Sequence, residues 1–153
     1  MLEVKAPTPL KKLRGSKTVF LAGSIDMGKA IDWQTQVVNA FARDNVTFWN
    51  PRRSDWNSTW RQEITFAPFR EQVEWELNAL ETADIIVVCF DPKGQAPITL
   101  LELGLHAKSM KPVIVCCPDG FWRKGNVDIV ATKYHLDQVD TIEDMITALR
   151  SYI

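Results

Sequence analysis

Four short apolar runs, residues 18–22, 46–49, 85–90 and 113–117, constrain this chain more than any other feature. They are rich in β-branched and aromatic residues and nearly continuous in their hydrophobicity, with no alternating polar face. A strand of that kind has to be covered on both sides, which is the condition of a parallel sheet. Helix-spaced stretches separate the runs. Asp32 can cap a helix in which Trp33, Val37 and Phe41 recur every four residues. From Phe69, the positions Val73, Leu77 and Leu80 predict a second helix ending near Thr82, and residues 99–109 a third. Residues 126–134 fit either a helix or a strand. Thr141 followed by Asp144 resembles a capping arrangement, opening a last helix that buries Ile142, Met145, Ile146 and Leu149. The alternation predicts an α/β fold, a mostly parallel sheet of about five strands with helices on both faces.

A chain of 153 residues fits one domain, able to bury roughly two thirds of its unfolded surface in one core. Residues 1–16, with Pro7 and Pro9, read as an extended N-terminal arm, and residues 17–153 as the domain. Eighteen basic and nineteen acidic side chains leave a net charge of -1, so there is no bulk electrostatic pull toward nucleic acid or a membrane surface. A small ligand is the expected partner. Cys89, Cys116 and Cys117 lie in apolar runs, where cysteine acts as a small buried hydrophobe, and they argue for a reducing, cytoplasmic setting. His106 and His135 are too few and too scattered for a zinc site, so no metal is expected. The basic N-terminus is not followed by an apolar signal core, and no apolar run is long enough to span a bilayer.

In a parallel sheet, ligands bind beyond the carboxyl ends of the strands. Gly23-Ser24, Asn50-Pro51, Asp91-Pro92 and Pro118-Asp119 all fall at such ends. Gly23, Ser24 and Gly28 are similar to a phosphate-binding loop but match no fingerprint, and Asp26 would repel a phosphate; a tight turn explains Gly23 equally well. Residues 51–68 form a long polar loop carrying Arg52, Arg53, Trp56 and Trp60, and a loop of that length is usually functional. Trp56 is the best candidate to stack on a nucleobase, whereas Trp33 and Trp49 suit a core or subunit contact. Glu102 stands among Leu100, Leu101, Leu103 and Leu105. Either Leu101 and Leu105 face the sheet with Glu102 in solvent, or the carboxylate is held inside for a chemical reason, since an unpaired buried charge costs several kcal/mol. Glu76 has no basic neighbour at helical spacing: Gln72, Val73, Ala79 and Leu80 surround it.

Three motifs in order carry a resemblance: Val19-Phe-Leu-Ala-Gly23, then Trp75-Glu-Leu-Asn-Ala-Leu-Glu-Thr-Ala-Asp84-Ile-Ile, then Leu101-Glu-Leu-Gly104 followed by Ala107. From residue 17 to about 130 the chain resembles the nucleoside 2-deoxyribosyltransferases and their relatives. The resemblance implies a flavodoxin-like (Rossmann-like) fold. It also implies transfer of 2-deoxyribose between free nucleobases and deoxynucleosides without a cofactor, and a homo-oligomer, a dimer or a hexamer built from dimers, in which a neighbour completes each site. Carried over by position, Glu102 is the nucleophile that forms a deoxyribosyl ester, by the chemistry of retaining glycosidases. Glu76 stands where the family has the carboxylate that protonates the departing base. Asp91 is the residue at the sugar-hydroxyl position, and Asn126, with Asp128, is the pair extended by a neighbour toward the sugar 5'-hydroxyl. Phe20 stands where many members have the tyrosine that orients the nucleophile. Two alternatives stay open: a hydrolase of deoxynucleosides or their 5'-monophosphates, with Ser24, Arg123 or Lys124 for the phosphate, and a non-catalytic nucleotide-binding module.

Overall fold

The computed structural model describes residues 1–25 and 32–153. In chain order the elements are β1 (Leu2–Lys5), β2 (Lys17–Gly23), α1 (Trp33–Ala40), β3 (Val46–Asn50), α2 (Ala67–Thr82), β4 (Ile85–Cys89), α3 (Pro97–His106), β5 (Val113–Cys116), α4 (Lys124–Tyr134), β6 (Asp137–Val139) and α5 (Ile142–Arg150). The strands make one six-stranded sheet in the order β1-β3-β2-β4-β5-β6, and every pairing is parallel. From β3 to β6 this is the doubly wound flavodoxin-like order, in which the chain moves outward first one way and then the other. β1 extends the sheet by one strand beyond β3.

The four apolar runs became the four central strands because each has two faces to bury. Phe20, Ala22, Val88 and Phe90 point into a core shared with Trp75, Ala79 and Leu80 of α2, Leu103 of α3 and Val127 of α4. The alternate residues, Val19, Leu21, Val87 and Cys89, meet Trp33, Val37 and Phe41 of α1 and Met145 and Leu149 of α5. The period-2 pleat thus divides continuous hydrophobic runs between two helical layers. Asp84 fastens the opposite end of the sheet. Its Oδ2 accepts from both the backbone N and the Oγ1 of Thr18 at 2.8 Å, joining the starts of β2 and β4.

The sheet has six strands where about five were expected, and two of them lie outside the four apolar runs. Residues 2–5 are not a free arm: β1 pairs with β3 and Val4 is buried in the core. Beyond it the chain remains tied down, since the indole N–H groups of Trp75 and Trp49 donate to the carbonyls of Thr8 and Lys11 at 2.7 and 3.0 Å. β6 is only three residues long and half polar, the character of an edge strand. The ambiguous segment resolves as α4, burying Val127 and Ala131 one helical turn apart. Both expected caps form: Asp32 accepts from Thr35 N at 3.1 Å, and Thr141 from Asp144 N at 3.1 Å. On α2 the buried face is Gln72, Trp75, Ala79 and Leu80, so Leu77 lies outside it. No described helix is long and apolar enough to cross a membrane.

Candidate active site

The C-terminal ends of β2 and β4 are drawn together around Gly23. A Cβ on Gly23 would lie 2.4 Å from the Cys89 carbonyl oxygen and 2.7 Å from the Trp33 ring, so close packing alone demands glycine here. Ser24 continues the seam: its N–H donates to Cys89 O at 2.9 Å, its Oγ accepts from Asp91 N at 3.0 Å, and its carbonyl accepts from Trp33 Nε1 at 3.2 Å. Ser24 is buried and ties the end of β2 to the end of β4. Asp26 and Gly28, the rest of the loop considered for phosphate, lie outside the described residues.

α3 rises from this end of the sheet with Pro97 in its first turn, where proline's missing N–H costs nothing. Its phase reverses the simpler of the two sequence readings. Leu101 and Leu105 are 59% and 57% exposed, whereas Glu102 is only 8% exposed and lies on the inward side with Thr99 and Leu103. Leu103 and Ala107 take the core positions, and that register turns Glu102 inward with them. Phe20 packs against Trp75, their ring centroids 6.4 Å apart, and offers no hydroxyl. Among the described residues no donor satisfies the Glu102 carboxylate. Burial, and next the charge of Glu76, push its pKa up to about 8.

Glu76 comes to the same place from α2. As a whole residue it is half-buried, yet its carboxyl lies deep enough that burial pushes it up to about 7, against the opposing pull of a hydrogen bond from Gln72. That bond runs from Gln72 Nε2 to Glu76 Oε1 at 2.8 Å, and the same nitrogen donates to Pro51 O at 2.9 Å. Gln72 Oε1 accepts from Arg53 at 3.4 Å. Arg53 is itself buried, forms a two-pronged pair with Asp55 at 2.7 and 2.9 Å, and lies 5.0 Å from the Trp60 ring centroid. Two carboxyl groups from two helices are each shifted toward neutrality by burial, and the charge of one acts on the other. Such a pair can carry a single proton near pH 7 and divide the roles of acid and base.

The other residues singled out from the sequence disperse. Trp56 packs on Trp60 with centroids 5.1 Å apart, and Trp60 on Phe66, so the long loop carries an aromatic cluster of its own. Asp91 turns back on its own loop, accepting from Lys93 N at 2.9 Å. Asn126 lines a groove of about 340 Å³ between α3 and α4, with Leu100, Leu103, Gly104, Arg123 and Val130. Asp128 is drawn the other way, to Lys124 at 3.2 Å and to Gln138. Lys124 also reaches Asp140 and the Cys117 carbonyl and so is not a free phosphate donor, whereas Arg123 is exposed and stacks on Trp122. His106 shares a helix with Glu102 but responds to burial and then to Lys111, which lower its pKa. Sequence reasoning missed Gln72 and Arg53; the only signal was a buried-side polar residue four positions before Glu76.

A family model described as nucleoside 2-deoxyribosyltransferase like matches residues 16–121. The chain belongs to this family. The matched segment runs from the start of β2 to just past β5, and so contains both Glu76 and Glu102 within the nucleoside 2-deoxyribosyltransferase-like region. A solved structure described as a conserved protein from Enterococcus faecalis V583 is similar, with a TM-score of 0.63 and 12% identity over 90% of this chain and 99% of that one. At that identity the likeness establishes the fold alone. No curated protein matches the chain.

Proposed function

We propose that this protein transfers 2-deoxyribose between nucleobases by double displacement, with Glu102 as nucleophile and Glu76 as acid and then base. The single observation that carries the reading is the inward-turned, buried Glu102 carboxyl, within electrostatic reach of a second raised carboxyl, inside the family-matched segment. In the first step a Glu102 oxygen bonds to the anomeric carbon as the bond from that carbon to the base nitrogen breaks. The bonding electrons leave with the base, which takes the proton from Glu76. In the second step a different base loses its N–H proton to Glu76 and attacks the same carbon, releasing Glu102. Configuration is retained through two inversions. Positive charge developing at the anomeric carbon favours the ionised form of the nearer carboxyl, so bound substrate draws the shared proton from Glu102 to Glu76.

The free, buried cysteines suit a reducing cytoplasm, and the substrates are deoxynucleosides and free bases. A homo-oligomer fits the exposed Asn126 groove, from which one subunit can reach a neighbour's sugar site. The deciding experiment is incubation with a 2'-deoxynucleoside and a different free base. The expected product is the exchanged nucleoside, and Glu102→Ala should lower the rate by several orders of magnitude. Release of base with no new nucleoside would select hydrolysis instead, and binding without turnover the non-catalytic module.

A further inference from the structure

Gln72 is an uncharged, 4%-exposed side chain whose two amide N–H groups and amide oxygen are all engaged. Pro51 O is a carbonyl and can only accept, so it fixes the amide nitrogen of Gln72 on its side. The Arg53 guanidinium can only donate, so it fixes the amide oxygen on the other. With both faces determined, the second N–H of Gln72 has one destination, Glu76 Oε1. The carbonyl oxygen of a carboxylic acid accepts a hydrogen bond better than its hydroxyl oxygen does. When Glu76 is protonated, the N–H held on Oε1 therefore favours the proton on the other oxygen, Oε2.

We propose that Gln72 is the positioning residue of the acid: it favours Glu76 Oε1 as an acceptor, so that the transferable proton is carried preferentially on Oε2, and Arg53 couples this setting to the 51–66 loop. This rests on the reading of Glu76 as the acid of deoxyribosyl transfer. A carboxylate at position 72 would offer no donor to Pro51 or Glu76, and a shorter amide would not span the three partners. Arg53 is the anchor of the device because it is buried and its charge is matched by Asp55 and by Glu71 at 3.4 Å, leaving it as a fixed donor. The ionisable group on α3 in this neighbourhood is Glu102, on which the Glu76 charge acts. From its own helix the influence is the Gln72 hydrogen bond, which stabilises the charged form. Arg53 reaches Glu76 only through the amide. The loop that carries Trp56 and Trp60 thus has a direct mechanical connection to the acid.

The test reads Glu76 itself. Protein labelled with 13C in the glutamate carboxyls is titrated by NMR, the Glu76 signal being assigned by its loss in Glu76→Gln. Gln72→Met removes the donor at nearly constant length and should raise the proton affinity of Glu76 about tenfold. In the unaltered protein, one of the two Gln72 amide protons should move at the Glu76 midpoint while the other, on Pro51, stays still; this readout does not depend on a variant folding. With a deoxyriboside whose leaving group needs no protonation, Gln72→Met should keep a near-normal single-turnover rate of leaving-group release, while that rate for ordinary deoxynucleosides falls about tenfold or more. An unmoved Glu76 midpoint in folded Gln72→Met, or amide protons blind to Glu76, would overturn the inference. A shifted midpoint in a protein that turns over no deoxynucleoside would instead defeat the transferase reading and leave the hold of Gln72 on Glu76 standing.

Discussion

Glu102 and Glu76 hold protons in the fold that they would release in the unfolded chain, and this has consequences for both stability and rate. Their ordinary pKa of 4.5 is raised to about 8 and about 7 by burial, with the Glu76 charge adding to the shift of Glu102. Between pH 4.5 and 8 the native state therefore binds more protons than the unfolded state, and stability falls as pH rises through that window. Each proton held only by the fold changes stability by about 1.4 kcal/mol per pH unit. Glu102→Gln, which copies the protonated shape, should match the parent protein at pH 5 and exceed it at pH 8 by about 3 kcal/mol. Urea midpoints at the two pH values measure the difference; a parent protein equally stable at both would contradict the buried pair. In the proposed mechanism the same two groups also set the rate. The active form carries one proton on the pair, so kcat/KM should be bell-shaped, with its maximum between about 7 and about 8. Below that range both carboxyls are protonated and no nucleophile remains. Above it both are ionised and the leaving base receives no proton. A flat profile from pH 6 to 9 would remove Glu76 from the chemistry.

At the scale of elements, what the sequence made legible was whatever needs burial on two faces. The central strands β2, β3, β4 and β5 were readable because, Lys17 at the start of β2 aside, their residues are apolar or held in the core, and the helices between them because of their spacing and their Asp32 and Thr141 caps. β1 and β6 were hidden because short edge strands carry residues such as Glu3, Lys5 and Asp137 that look like loop. The position of Glu102 was legible but its direction was not. Leucines stand on both sides of it, so spacing alone leaves the phase of α3 undetermined, and only the docking of Leu103 and Ala107 against the sheet decides it. Gln72 and Arg53 left no pattern, because a hydrogen bond between residues nineteen apart has no periodicity. The Asp128 reading missed its partner Gln138 on β6 for the same reason. β1 offers a direct check on its element. If residues 2–5 were an arm, a charge at Val4 would be harmless. As a core residue 2% exposed and packed in the sheet, Val4→Asp should cost about 3 kcal/mol or more, read as a lowered denaturation midpoint.

For the molecule as a whole, the inward turn of Glu102 has an outward counterpart. The same phase of α3 that buries the carboxyl exposes Ile98, Leu101 and Leu105 along one ridge, 57–60% accessible, beside the groove that holds Asn126. Large aliphatic side chains three and four residues apart on a helix form a face suited to another helix. A second copy of the chain is the partner that our functional reading supplies, with Asn126 crossing into the neighbour's site. That arrangement makes a prediction no single-chain site can mimic. Glu102→Ala and Asn126→Ala proteins, each inactive alone, are mixed after dissociation and allowed to reassociate. If each site takes Glu102 from one subunit and Asn126 from the other, a mixed dimer has one site with both defects and one with neither. Random reassortment should then restore about a quarter of the parent activity. If both residues come from one subunit, every site in every dimer carries a defect, and mixing restores nothing. Leu101→Glu combined with Leu105→Glu provides the companion measurement: sedimentation should report a monomer with the fold intact and the exchange activity gone. A doubly substituted protein that stays oligomeric and active would place the interface elsewhere, on a surface other than the ridge of α3.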